Sequence, residues 1–189
     1  MSAWILVIGE EEAQGELKRI YHIIKEKRGS LSNVMKAQSL DPESIRLHMD
    51  LYLHLMFGKS TLTRLEREMI AVVVSYLNNC DYCVIHHKEA LLHHSKNREL
   101  LGNLEKGAFE NVSPTARAML EYAVKYAVKL TEHPENMLKA EVEKLRIAGF
   151  SDESILRINL ITSYFNFVNR IVSGLGVELE ERRARVYKY

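Results

Sequence analysis

Apolar residues in this chain recur at intervals of three and four rather than two, a spacing that predicts helices almost end to end. Residues 10–28 carry Leu17, Ile20, Tyr21 and Ile24 on one stripe, as an amphipathic helix requires. Residues 29–40 read as a connector. Asp41-Pro42 then supplies an N-cap and a first-turn proline for a helix running to about Phe57, stopped at Gly58. Thr63 and Glu66 have capping-box spacing and open a helix over 64–77. Its β-branched run, Val72-Val73-Val74, lacks strand alternation, so a buried helix is expected. Asn78-Asn79 breaks the pattern before a helix over 81–95. A helix over 97–106 ends at Gly107. The next begins at Ser113-Pro114, with Ala118, Met119, Tyr122, Tyr126 and Leu130 facing inward. His133-Pro134 interrupts, 136–148 resumes, and Ser151-Asp152-Glu153 caps a long apolar helix over 152–173.

Only three prolines and nine glycines occur, nearly all at helix ends, which strengthens the all-α reading. The expected organisation is one helical domain over 30–180, preceded by an N-terminal segment and helix over 1–29 and followed by a charged tail over 181–189. The last helix contains Tyr164-Phe165-Asn166-Phe167 and is apolar enough to bury a second face, so a homo-oligomer is expected. Asn166, Asn169 and Arg170 are assigned to that contact. A net charge of +1 without long basic blocks argues against a nucleic-acid partner. The apolar run at 3–8 is too short and too acidic in its flank for a signal peptide, and no run approaches a membrane span. Both cysteines lie in one C-x-x-C, which favours a reducing, cytoplasmic setting over a secreted disulfide framework.

Chemistry concentrates between Glu68 and His87. Cys80 and Cys83 are three apart at the start of a helix, which puts both sulfurs on one side. There the helix N-terminus favours a thiolate over a thiol. His87 follows Cys83 by one turn. If the helices on either side of Asn78-Asn79 fold back on each other, Glu68 lies ten residues before the break and His87 eight after it. At ~1.5 Å per residue the carboxylate comes level with the imidazole. The candidate catalytic set is therefore Cys83, Cys80, His87 and Glu68, a redox constellation.

Other chemistry fits less well. Cys80, Cys83, His86 and His87 make four zinc ligands by count, but adjacent helical residues point ~100° apart, so the imidazoles do not converge. No metal and no cofactor is expected. His93 and His94, two turns further along, lack the carboxylates of a metal cluster.

With these residues in hand, the chain resembles the alkylhydroperoxidase-D-like proteins of the carboxymuconolactone decarboxylase-like superfamily. Their signature is a glutamate, eleven residues, then C-x-x-C-x-x-x-H, which Glu68, Cys80, Cys83 and His87 match in every spacing. The segment NLITSYFNFVNRIVSGLGVELE also resembles the C-terminal helix of the peroxidase-related subgroup. The resemblance implies an all-α, single-domain, homo-oligomeric bundle (dimer, trimer or hexamer) that reduces hydrogen peroxide or small organic hydroperoxides. By that analogy Cys83 attacks the peroxide, Cys80 resolves it as a disulfide, His87 takes the thiol proton and Glu68 supports His87. A dithiol carrier, lipoyl or thioredoxin-like, restores the pair. Tyr82 stands where some members carry a second histidine. Alternatives are a dithiol–disulfide oxidoreductase and a non-catalytic redox-sensing helical oligomer.

Overall fold

The computed structural model describes residues 2–132 and 134–180, with the side chains of 129–132 and 134 left aside. The side chain of Leu130, His133 and the charged tail beyond Glu180 thus lie outside the described residues. Among these residues there are no strands, and nine α-helices follow in order. They are α1 (Gly15–Arg28), α2 (Asn33–Lys36), α3 (Pro42–Phe57), α4 (Arg64–Leu77), α5 (Asp81–Ser95), α6 (Arg98–Glu105), α7 (Pro114–Glu132), α8 (Lys139–Ile147) and α9 (Asp152–Leu175). A 3₁₀ turn, Pro134–Asn136, separates α7 from α8. The all-α expectation holds. Two details differ from the sequence reading. Residues 10–12 form a turn, closed by Ala13 N–H on Gly9 O, so α1 begins only at Gly15. The connector after Gly29 contains the one-turn helix α2, too short to leave a periodic signal.

The fold divides into two compact units, one made of residues up to Leu53 with those from Arg170 onward, the other of His54–Asn169. In the first, the α1 stripe of Leu17, Ile20, Tyr21 and Ile24 is buried as its period requires. The N-terminal segment pairs with the end of α9 in the same chain. Trp4 N–H donates to Leu175 O at 2.8 Å, and Glu178 N–H to Ser2 O at 3.1 Å.

The second unit is organised around α4. Its capping box forms as read: Thr63 Oγ1 accepts from Glu66 N–H at 3.2 Å, and Glu66 Oε2 accepts from Thr63 N–H at 2.7 Å. From residue 67 to 75 every α4 side chain is buried, so the valines are core on all sides rather than one face of a sheet. Helices α5, α6 and α7 pack against it. Burying each such valine or isoleucine is worth about 1.5–3 kcal/mol, which outweighs the few tenths that β-branching costs a helix. The buried Arg67 closes the preceding helix, donating through Nη1 to the carbonyls of Leu55, Met56 and Gly58 at 3.2, 2.8 and 3.0 Å. These are oxygens that the end of α3 leaves without helical partners.

Candidate active site

Helix α4 ends at Asn78, and Asn79 takes a left-handed conformation (φ 52°) that asparagine tolerates better than most residues. Cys80 N–H then returns to Ser75 O at 2.9 Å, which turns the chain sharply into α5. The two helices run back along each other, and the register obtained by counting is the register found. His87 Nδ1 lies 2.7 Å from Glu68 Oε2 across the pair.

Glu68 is fully buried, at 0% exposure, and both its oxygens are engaged. Oε2 meets His87. Oε1 accepts from Arg64 Nε at 2.7 Å, and Arg64 Nη2 lies 2.5 Å from the same oxygen in an ionic contact without hydrogen-bond alignment. Burial alone raises a carboxyl pKa, but His87 and Arg64 together more than reverse it, so Glu68 is held below the usual carboxylate range. An ionised Glu68 requires the proton on Nδ1 and leaves Nε2 as the exchangeable nitrogen of His87. The ring is steadied by the edge of Phe165 on α9, 4.6 Å away between centroids and at 84°. Arg64 in turn lies over the face of Phe57, 3.8 Å from its centroid, and Nη1 donates to Met56 O at 3.1 Å.

Cys80 occupies the N-cap of α5, and Cys83 lies in its first turn. Both are free thiols and nearly enclosed, at 2% and 4% exposure. Their side chains share a hydrogen bond, and this contact splits their acidities. The Cys83 S–H donating to the Cys80 sulfur pulls Cys80 down to about 7 against the opposing effect of burial. The Cys83 backbone N–H, which faces that sulfur without closing a full cap bond, and Asn169 add to the effect. Cys83 is pushed well above the ordinary thiol range, first by donating to Cys80 and then by burial. The structure thus brings all four sequence-chosen residues into one region of the second unit, with the charge preference on Cys80.

Several residues near the site carry more than the sequence reading gave them. Arg64 was visible only as part of the capping box, although its i,i+4 spacing to Glu68 was the available signal. Asn166 and Asn169, assigned to a contact between subunits, are instead buried inside the chain. Asn78 Nδ2 donates to Asn166 Oδ1 at 3.0 Å and to Asn169 Oδ1 at 2.9 Å. Asn169 Nδ2 donates to the buried Ser75 Oγ at 3.2 Å. Tyr164 and Phe165 are likewise buried in the chain, while Arg170 and Phe167 are exposed. Tyr82 is buried and tilts against the His86 ring at 4.6 Å. His93 and His94 stand edge to face on the exposed end of α5. Among the described residues, no group of three or more His, Cys, Asp or Glu is placed to hold a metal ion, and no helix is long and apolar enough to cross a membrane.

The model of the carboxymuconolactone decarboxylase family matches residues 42–125, which include the whole Glu68–His87 stretch. An uncharacterized peroxidase-related protein from Silicibacter sp. TM1040 is 32% identical, over 95% of this chain and 93% of its own, with a TM-score of 0.81. Another uncharacterized peroxidase-related protein, described as an alkylhydroperoxidase AhpD core and from Ralstonia eutropha JMP134, is 26% identical over 96% of this chain and 94% of its own, with a TM-score of 0.82. The debrominase Bmp8 shares the fold at 18% identity, over 96% of this chain and 92% of its own, with a TM-score of 0.75. No curated protein matches the chain. By fold, by residues and by this degree of identity along nearly its full length, the chain belongs to the carboxymuconolactone decarboxylase-like, alkylhydroperoxidase-D-like family.

Proposed function

We propose that this protein is a thiol-dependent peroxidase that reduces hydrogen peroxide or small organic hydroperoxides through a Cys80–Cys83 dithiol–disulfide cycle. One observation carries the reading: a C-x-x-C pair sharing a proton at a helix N-terminus, one turn from an imidazole held by the buried, ionised Glu68. A thiolate attacks one peroxide oxygen, the O–O bond breaks, and the departing alkoxide or hydroxide takes a proton that His87 Nε2 is placed to supply. The attacking sulfur is left as sulfenic acid. The second sulfur displaces water from it, giving the disulfide, and an external dithiol such as a lipoyl or thioredoxin-like carrier returns two electrons and two protons. Glu68 keeps the imidazole in one tautomer and favours its protonated form. Membership in a family with peroxidase-related relatives supports the same reading.

The test is peroxide consumption by the purified, reduced chain with dihydrolipoamide in excess. Many turnovers are expected, abolished by either Cys80→Ser or Cys83→Ser and strongly slowed by His87→Asn. A single oxidation that stalls despite abundant dithiol overturns the enzyme in favour of a redox sensor. Rapid reduction of protein disulfides without peroxide turnover points instead to a dithiol–disulfide oxidoreductase.

A further inference from the structure

The carboxamide of Asn169 has a fixed direction, and that direction is set far from the sulfurs. Thr162 O is a backbone carbonyl and can only accept, so Asn166 must present Nδ2 to it, at 3.0 Å. The Asn166 oxygen then faces Asn78, which must answer with Nδ2, and the same Nδ2 reaches Asn169 Oδ1 at 2.9 Å. With its oxygen taken, Asn169 presents only N–H groups to its remaining neighbours. Those neighbours are Ser75 Oγ at 3.2 Å and the two cysteine sulfurs. Asn166, Asn169 and Ser75 are all buried, so each contact is made away from competing water. An N–H aimed at sulfur stabilises thiolate over thiol, and Cys80 also receives the S–H and faces the backbone N–H of Cys83. Around the Cys80 sulfur, α5 supplies Cys83 and the opposing carboxylate of Asp81, while α4 and α9 supply the neutral Ser75 and Asn169.

We propose that Asn169 is a positioning residue that makes Cys80 the sulfur that bears the anion and reacts first, leaving Cys83 to hold the proton and then close the disulfide. The order of attack rests on the peroxidase reading; the placement of charge does not. In this order the Cys80 thiolate takes the peroxide oxygen and becomes the sulfenic acid. The Cys83 sulfur then bonds to the Cys80 sulfur, and its proton leaves with the hydroxyl as water. This reverses the roles that the family resemblance implies.

Thiolate absorbance is followed from pH 5 to 10 in Cys83→Ser and Cys80→Ser, and iodoacetamide labelling is located by mass spectrometry in the chain with both cysteines. Cys80 is expected to ionise near 7 and to take the label first, with Cys83 ionising above the ordinary thiol range. Asn169→Leu, of similar size but without a donor, is expected to slow Cys80 labelling at pH 7 about tenfold, the order of one charge-assisted hydrogen bond. A Cys83 that ionises first, or an Asn169→Leu variant with unchanged Cys80 titration, overturns the proposal. Should Asn169→Leu fail to fold, the two single-cysteine titrations decide it alone: Cys80 below Cys83 upholds it and the reverse order refutes it. If the wild-type chain titrates as expected yet consumes no peroxide, the peroxidase reading falls while the charge assignment stands.

Discussion

His87 Nδ1 and Glu68 Oε2 meet at 2.7 Å although nineteen residues separate them, because α4 and α5 fold back on the Asn78–Asn79 turn. Glu68 is therefore both a core residue and the partner of the imidazole.

Removing its charge has two separable consequences. Glu68→Gln keeps the shape but leaves Arg64 without a counter-ion, at a cost of about 3 kcal/mol in denaturant unfolding. The same change lowers peroxide turnover about 10²-fold, the scale of one acid–base catalyst. Adding Arg64→Met restores much of the stability and none of the turnover. Recovery of turnover in that double variant refutes the role of the Glu68 anion.

Acid weakens the fold by a predictable route. His48, buried on α3 and bonded to Gln38, is depressed from 6.5 to about 4 by its burial. A group depressed in the folded state leaves the unfolded chain binding more protons between those values, so stability falls as pH drops from 6.5 toward 4. The loss from this residue between pH 7 and pH 5 is about 2 kcal/mol. Glu68, also depressed, adds a further loss only below the normal carboxylate range, as pH falls through its folded value. His48→Leu flattens the pH 5–7 part of the stability profile measured by urea titration, and an unchanged slope refutes the assignment.

Arg67 makes a structural prediction that leaves the thiols alone. Arg67→Met removes the donor shared by three carbonyls at the end of α3, costing about 2–3 kcal/mol. Thiol titration of the folded variant remains unchanged. A shift in that titration shows instead that Arg67 acts on the site.

Gly176 is constrained by both backbone and space. Its φ is +58°, and a Cβ there would come within 2.0 Å of the Trp4 ring. Gly176→Ala costs about 1–3 kcal/mol from backbone strain and displacement of the ring. Trp4 is the only tryptophan, so its fluorescence reports the displacement directly.

Much of this was legible from the residues. The Thr63–Glu66 cap and the ten-against-eight count around Asn78–Asn79 gave the Glu68–His87 pairing, because helix rise is nearly constant. The asparagine chain was not legible. Asn166 and Asn169 sit on an apolar helix, and their partners Asn78 and Ser75 lie about ninety residues away in sequence. Nothing in local periodicity distinguishes a buried carboxamide with distant partners from one awaiting another subunit. The split between the two thiols was equally hidden, since it depends on which sulfur receives the other's proton.

Since residues 67–75 of α4 face inward all the way around, the acid and the serine beside the sulfurs share a rod with the valines that keep the protein folded. Chemistry and folding draw on the same atoms there, which leaves little freedom to retune one without disturbing the other. Divergence in preferred oxidant has more room on α5, where His86 is only partly enclosed and Tyr82 leans against it.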